Sequence, residues 1–287
     1  MTSPTDHSAG GPASGAAMIT VTDLTKTFST GKRVVSALDA VSLSVPAGSC
    51  LAVVGESGSG KTTLARIIVG LEKPDSGTVT VAGRTVAARA TRRELRRRAR
   101  TIQMVFQDPQ SSLNRRLPVH TAVDEVLRVH TDLGRAARRQ RSEELFALVG
   151  LPARFLSALP EELSGGQRQR VAIARALAAD PEVIVLDESV AALDVTVQGQ
   201  ILALLDELRT AKGLTYLFIT HDLSVVQLIA DQVVVMRRGR IVERGATAEV
   251  LGRPQHPYTQ LLLACAPRPG WKPQRGVIRA LRDEIAT

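Results

Sequence analysis

The sequence predicts an α/β fold built on a mostly parallel sheet, and three observations carry that expectation. Continuous apolar runs at residues 51–54, 183–186, 216–219 and 233–236 have the texture of strands buried on both faces. They alternate with helical patterns at residues 167–179, 197–210 and 223–229, the rhythm of strand–helix–strand units. A glycine-rich turn follows the first run and leads into a helical pattern at residues 62–69, closed by Gly70 at a C-cap position. With 287 residues, 44% of them hydrophobic, the chain is long enough to bury a substantial core.

In chain order, residues 1–17 are rich in Gly, Ala, Ser and Pro and are expected to form a disordered leader. Residues 18–21 and 38–45 carry short alternating apolar runs, which predict antiparallel strands ahead of the parallel core. Residues 102–106 read as a further strand. Strand-like runs then vanish between Gln107 and Ser164, where helical patterns at 119–129 and 135–149 are broken by Pro118, Gly150 and Pro152. This predicts a helical subdomain, about residues 108–170, inserted into a main domain over 18–252. Beyond Gly252 the chain is Pro-rich (Pro254, Pro257, Pro267, Pro269, Pro273), with one amphipathic stretch at 258–266, and is expected to be a C-terminal extension over 253–287.

No run of eighteen apolar residues occurs, and no basic patch precedes an apolar stretch at the N-terminus. Any membrane role is therefore expected through a partner. Cys50 and Cys265 both sit among apolar residues and are expected to be reduced core thiols, consistent with a cytoplasmic location. The net charge of +9 raises nucleic acid as a partner. However, the densest basic runs, 92–100 and 135–141, read as solvated helix surface, and aromatics at 3% leave few stacking platforms. Surface charge is the expected reading, with anionic lipid headgroups a further option and no nucleic acid expected.

Three stretches carry chemistry. Gly55-Glu56-Ser57-Gly58-Ser59-Gly60-Lys61-Thr62 fits the spacing G-x-x-x-x-G-K-S/T of a phosphate loop. Its glycines let successive N–H groups face a phosphate, Lys61 reaches the β- and γ-phosphates, and Thr62 offers a hydroxyl to Mg²⁺. Thr63 is grouped with them as nucleotide-binding. Asp187 and Glu188 end an apolar strand, where ligands of open α/β sheets gather. Asp187 suits Mg²⁺ and Glu188 suits a general base for an attacking water. Finally, Ser164, Gly165, Gly166 and Gln167 open a helical pattern and make a second anion-binding helix N-terminus.

Together these stretches resemble the ATP-binding subunits of ABC transporters, whose signature is the LSGGQ found at Leu163 to Gln167. The resemblance implies a P-loop NTPase (RecA-like) core with an N-terminal antiparallel β subdomain and an inserted α-helical signature subdomain. It implies head-to-tail pairing with a second such ATPase, so that Lys61 of one subunit and Ser164 to Gly166 of the other clamp one γ-phosphate. The cofactors implied are ATP and Mg²⁺. By the same resemblance Gln107 contacts Mg²⁺ and the attacking water, and His221 contacts the γ-phosphate. Phe28 stacks on adenine, and Asp194 belongs to the D-loop. Ala191 stands where that loop usually has Ser, which leaves open whether the two sites of a dimer are equal.

Residues 104–114 and the stretch from His256 to Leu262 resemble the dipeptide, oligopeptide and nickel importers. That implies a peripheral subunit at the cytoplasmic face of the membrane, bound to a separate permease and served indirectly by a solute-binding protein. Two alternatives compete: a non-transport ABC ATPase acting on nucleic acid or ribosomes, and an exporter subunit. A single cassette without sustained heptads weighs against the first, and the His256 to Leu262 stretch weighs against the second.

Overall fold

In the computed structural model, which describes residues 17–30, 33–87, 90–107 and 113–265, the chain folds into two sheets. The expected leader, apart from Ala17, lies outside the described residues, as do residues 108–112 and 266–287. Strands β1 (Ala17–Thr30) and β2 (Arg33–Pro46) pair antiparallel, and β3 (Cys50–Val54) then enters the second sheet. Helix α1 (Lys61–Val69) is followed by β4 (Ser76–Val81) and β5 (Arg84–Thr85), which complete a four-stranded antiparallel sheet in the order β2-β1-β4-β5. Helix α2 (Arg92–Thr101) leads into β6 (Ile102–Val105). A helical insertion follows, comprising α3 (His120–His130), α4 (Arg135–Leu148) and the 3₁₀ turns Ala153–Ser157 and Pro160–Glu162.

From α5 (Gly165–Leu177) onward the chain alternates as the runs predict: β7 (Val183–Asp187), α6 (Val195–Lys212), β8 (Thr215–Thr220), α7 (Leu223–Ile229) and β9 (Gln232–Arg237). The edge strand β10 (Arg240–Ala246) and helices α8 (Thr247–Gly252) and α9 (Pro257–Cys265) complete the described fold. The second sheet has the order β10-β9-β3-β8-β7-β6; all neighbours are parallel except β10 on β9. From β3 the chain crosses to β6, returns through β7 and β8, and then steps over β3 to β9. The reversal beside β3 is the kind of switch point at which open α/β sheets bind ligands.

Strand periodicity sorts the core. Val183 and Val185 face a cluster with Leu51, Val53, α1 and the antiparallel sheet. Ile184 and Leu186 face the opposite cluster, where Phe218 meets Leu145 and Phe146 of α4 and Ile173 of α5. Ala52 and Val54 join a third cluster under α7, α8 and α9. Strands β4, β5 and β10 were not expected. Their side chains are mostly exposed or half-buried, so no continuous apolar run marks them.

The basic run does form a solvated helix: no residue of α2 is buried. Cys50 is buried, but Cys265 is exposed, which corrects its expected place in the core. It is the last residue of α9, past the buried Leu261 and Leu263. Among the described residues no helix is long and apolar enough to cross a membrane.

Phe146 is fully buried and ties the helical insertion to the parallel sheet. Phe146→Ala is expected to cost about 3–5 kcal/mol, read as a lower urea midpoint at unchanged slope.

Candidate active site

The loop between β3 and α1 is shaped by contacts that exclude side chains. A Cβ at Gly55 (φ 154°) would lie 2.2 Å from the Met236 carbonyl oxygen, and one at Gly60 (φ 106°) would lie 2.3 Å from that of Ala37. Only glycine fits either position. Gly239, in the β9–β10 turn, donates its N–H to the Ser59 carbonyl at 3.0 Å, and the Glu56 N–H donates to the Tyr258 hydroxyl at 3.1 Å. Neither support was legible in the sequence, because both partners lie about 180 residues or more further along the chain.

Within this loop Lys61 is 4% exposed, and its Nζ donates to the carbonyls of Gly55 and Glu56, each at 2.8 Å. Burial pushes the Lys61 ammonium below its ordinary pKa, against the opposing pull of Glu188, Asp187 and Glu56. Gly60 is the N-cap of α1 and supplies no side-chain cap. The first amides of the helix therefore have no side-chain acceptor at that position, an arrangement suited to an anion. Glu56, Ser57 and Gly58 are exposed, Ser59 is buried, and Thr62 and Thr63 are half-buried.

Asp187 ends β7 at 4% exposure and accepts a hydrogen bond from the Thr62 hydroxyl at 3.3 Å. Burial raises its carboxyl above the usual range, partly offset by that hydrogen bond. A buried carboxylate beside a hydroxyl is a hard-oxygen pair that suits Mg²⁺, an ion commonly bound through only one or two carboxylates. Among the described residues no cluster of three His, Cys, Asp or Glu offers another metal site.

Glu188 follows in the left-handed region, φ 44°, with its N–H donated to the Ile219 carbonyl at 2.9 Å. Its carboxylate gathers two residues from distant segments: the Gln107 Nε2 donates to Oε2 at 2.8 Å, and His221 Nδ1 stands 3.3 Å from Oε1. Strand order explains the meeting, since β7 and β8 are neighbours and Gln107 lies just past β6 on the other side of β7. The site thus sets the Lys61 loop near an acid that is flanked by an amide and an imidazole.

Ser164 forms a reciprocal capping box with Gln167: its hydroxyl accepts from the Gln167 N–H at 3.3 Å, and its own N–H donates to Gln167 Oε1 at 2.9 Å. A Cβ at Gly166 would lie 2.4 Å from Val197 Cγ1, and one at Gly165 would lie 3.2 Å from Leu193. This helix start is therefore stacked on the turn that carries Asp194, whose carboxylate caps α6 through the Val197 N–H at 2.9 Å. Helix α5, which Ser164 caps, packs on α3, α4, α6 and β6, while α1 packs on β2, β4, β6, β7 and β8. Phe28 is 40% exposed on β1, with the Lys26 ammonium 5.1 Å from its ring centre. The ammonium over the ring is a cation–π arrangement on an exposed aromatic.

Comparison with known proteins agrees with this geometry. The family model described as ABC transporter matches residues 38–191, and that of the oligopeptide/dipeptide transporter C-terminal region matches residues 242–284. A putative peptide import ATP-binding protein of Brucella abortus is 46% identical over 252 residues, 86% of this chain and 75% of that protein. The dipeptide transport ATP-binding protein DppF of Escherichia coli is 46% identical over 237 residues, 83% of this chain and 71% of that protein. Among solved structures, the ATP-binding cassette MJ0796, a dimer in a post-hydrolysis state bound to ADP and Pi, superposes with a TM-score of 0.74 at 31% identity. The match covers 80% of this chain and 99% of that one. The alternatives of a nucleic-acid ATPase or an exporter find no support in these relatives, and the chain belongs to the ABC transporter family as an ATP-binding, ATP-hydrolysing subunit of the peptide-importer type.

Proposed function

We propose that this subunit hydrolyses ATP at the loop of residues 55–62 to drive uptake of di- or oligopeptides, or a related solute such as nickel, through a separate permease. The observation that carries the reading is the meeting of Gln107, Glu188 and His221 at the strand ends beside the Lys61 loop. In this reading the amides of residues 58–63 and Lys61 hold the phosphates, and Phe28 stacks on adenine. Thr62, Asp187 and Gln107 would hold Mg²⁺. Bound there, Mg²⁺ neutralises charge on the phosphate oxygens.

Glu188 accepts the proton of a water as its oxygen attacks the γ-phosphorus and the bond to ADP breaks. Gln107 orients that water. His221, whose side chain is 58% exposed, is free to swing from Glu188 toward the γ-phosphate. Ser164 to Gly166 of a second ATPase, with Asp194 at the interface, close over the same nucleotide. ATP then joins two subunits until hydrolysis removes the bridge, a two-state element biased by ligand. The helical insertion, about residues 108–170, transmits the motion to the permease, the extension from residue 253 marks the importer branch, and a solute-binding protein delivers cargo outside. The subunit sits peripherally on the cytoplasmic face of the membrane.

Glu188→Gln is expected to keep MgATP affinity while lowering turnover by about 10²- to 10⁴-fold, and to accumulate the nucleotide-bound dimer in size exclusion. Near-normal turnover would remove Glu188 from this role.

A second expectation concerns Asp187. Because its folded pKa is raised, the native state binds more protons than the unfolded chain across the window from the ordinary carboxylate pKa up to the raised one, and stability falls as pH rises through it. Nucleotide-free Asp187→Asn should therefore melt higher than the wild type at pH 7. The gap should close as pH falls toward the ordinary carboxylate range, and Mg²⁺-dependent turnover should be lost. A variant that melts lower at neutral pH would contradict this account of the buried acid.

A further inference from the structure

The C-terminal segment reaches the loop of residues 55–62 through Tyr258. Pro257 opens α9, where its missing N–H costs nothing, and Tyr258 behind it is 2% exposed in a cluster with Val54, Val235 and Leu251. The Arg237 guanidinium lies 5.3 Å over the ring. Backbone contacts fix where the tyrosine points. Glu243 on β10 accepts the N–H groups of Gln255 at 2.8 Å and His256 at 3.1 Å, and His256 Nδ1 accepts the Tyr258 N–H at 3.0 Å. Burial holds the phenol above its ordinary pKa, so it stays protonated and neutral in the working range.

The hydroxyl accepts the Glu56 N–H, and that N–H belongs to the same peptide unit as the Gly55 carbonyl, which receives the Lys61 ammonium. A peptide plane is rigid, and its N–H and C=O point in opposite directions. Holding one end therefore orients the other. This peptide needs such a hold, because Gly55 has no side chain to pack and Glu56 is exposed.

We propose that Tyr258 is a positioning residue for ATP: its hydroxyl fixes the Gly55–Glu56 peptide, which in turn aims Lys61, so that the C-terminal segment sets nucleotide affinity. This rests on the reading of residues 55–62 as the nucleotide site. It gives the His256 to Leu262 stretch a task inside the motor.

The test compares Tyr258→Phe with wild type in the full chain, using a fluorescent ADP for affinity and steady-state ATP turnover. The ring and its packing stay, and one oxygen is lost. The dissociation constant and the KM for MgATP should both rise about 3- to 10-fold, the scale of one neutral hydrogen bond, while kcat stays within about twofold. Tyr216→Phe is the control, since its buried hydroxyl donates to the Leu205 carbonyl, away from the loop. It should lower the melting temperature and leave both constants unchanged. Unchanged constants in Tyr258→Phe, or equal shifts in the two variants, would overturn the positioning role while leaving the nucleotide site intact. A wild type with no measurable nucleotide affinity would sink the site reading itself, and this proposal with it.

Discussion

A buried ammonium held only by neutral oxygens, two carbonyls and a hydroxyl, governs this site. Lys61 touches the oxygens of Gly55, Glu56 and Ser59, and among the described residues no carboxylate lies within ion-pair distance of it. These neutral oxygens satisfy its hydrogen bonds without pairing its charge, so the loop suits an anion. Everything around it preserves that condition. The antiparallel sheet brings Ala37 against Gly60, β9 brings Met236 against Gly55, and the turn at Gly239 takes up the Ser59 carbonyl. Each contact requires backbone where a side chain would otherwise stand, and so each keeps the space beyond the loop open.

The acids beside the loop meet the opposite constraint. Asp187 and Glu188 are adjacent at a strand end, and two neighbouring carboxylates in low dielectric repel. The left-handed turn at Glu188 separates their directions, at a cost of about 1–3 kcal/mol for a residue that is not glycine. Asp187 remains beside Thr62, whereas the Glu188 carboxylate reaches Gln107 and His221. Strain at this position buys two roles from two identical functional groups. Its main-chain anchor, the hydrogen bond to Ile219, belongs to the sheet rather than to the site.

Legibility followed the length scale of the interaction. The parallel strands and their helices were evident because each strand is apolar on both faces and each helix is periodic, properties that lie within a few residues. The glycine-rich turn after β3 and the helix start at Ser164 were evident for the same reason. Strands β4 and β10 were missed because their stability comes from partners distant in sequence, and their exposed faces dilute the pattern. Cys265 was misplaced because apolar neighbours in sequence are not neighbours in space at a helix end. The cluster at Glu188 came into view only through the family resemblance: no local rule joins residues 107, 188 and 221 before strand order does.

The segment from Glu188 to Val197 links the two chemical halves of the surface. Its turns are made by main chain, with the Ala191 N–H on the Glu188 carbonyl at 3.1 Å and the Leu193 N–H on the Val190 carbonyl at 3.2 Å. The methyl of Ala191 is exposed and takes no part in them, so the absence of a hydroxyl there leaves the turn unaltered. Leu193 then packs on Gly165, Asp194 caps α6, and Val197 fills the place of a side chain at Gly166. Hydrogen bonds and packing contacts thus run from Glu188 to the helix start that Ser164 caps. The two glycines of the signature have a second reason to be glycines: besides exposing amides, they let the acid's own turn press directly against the helix that carries them.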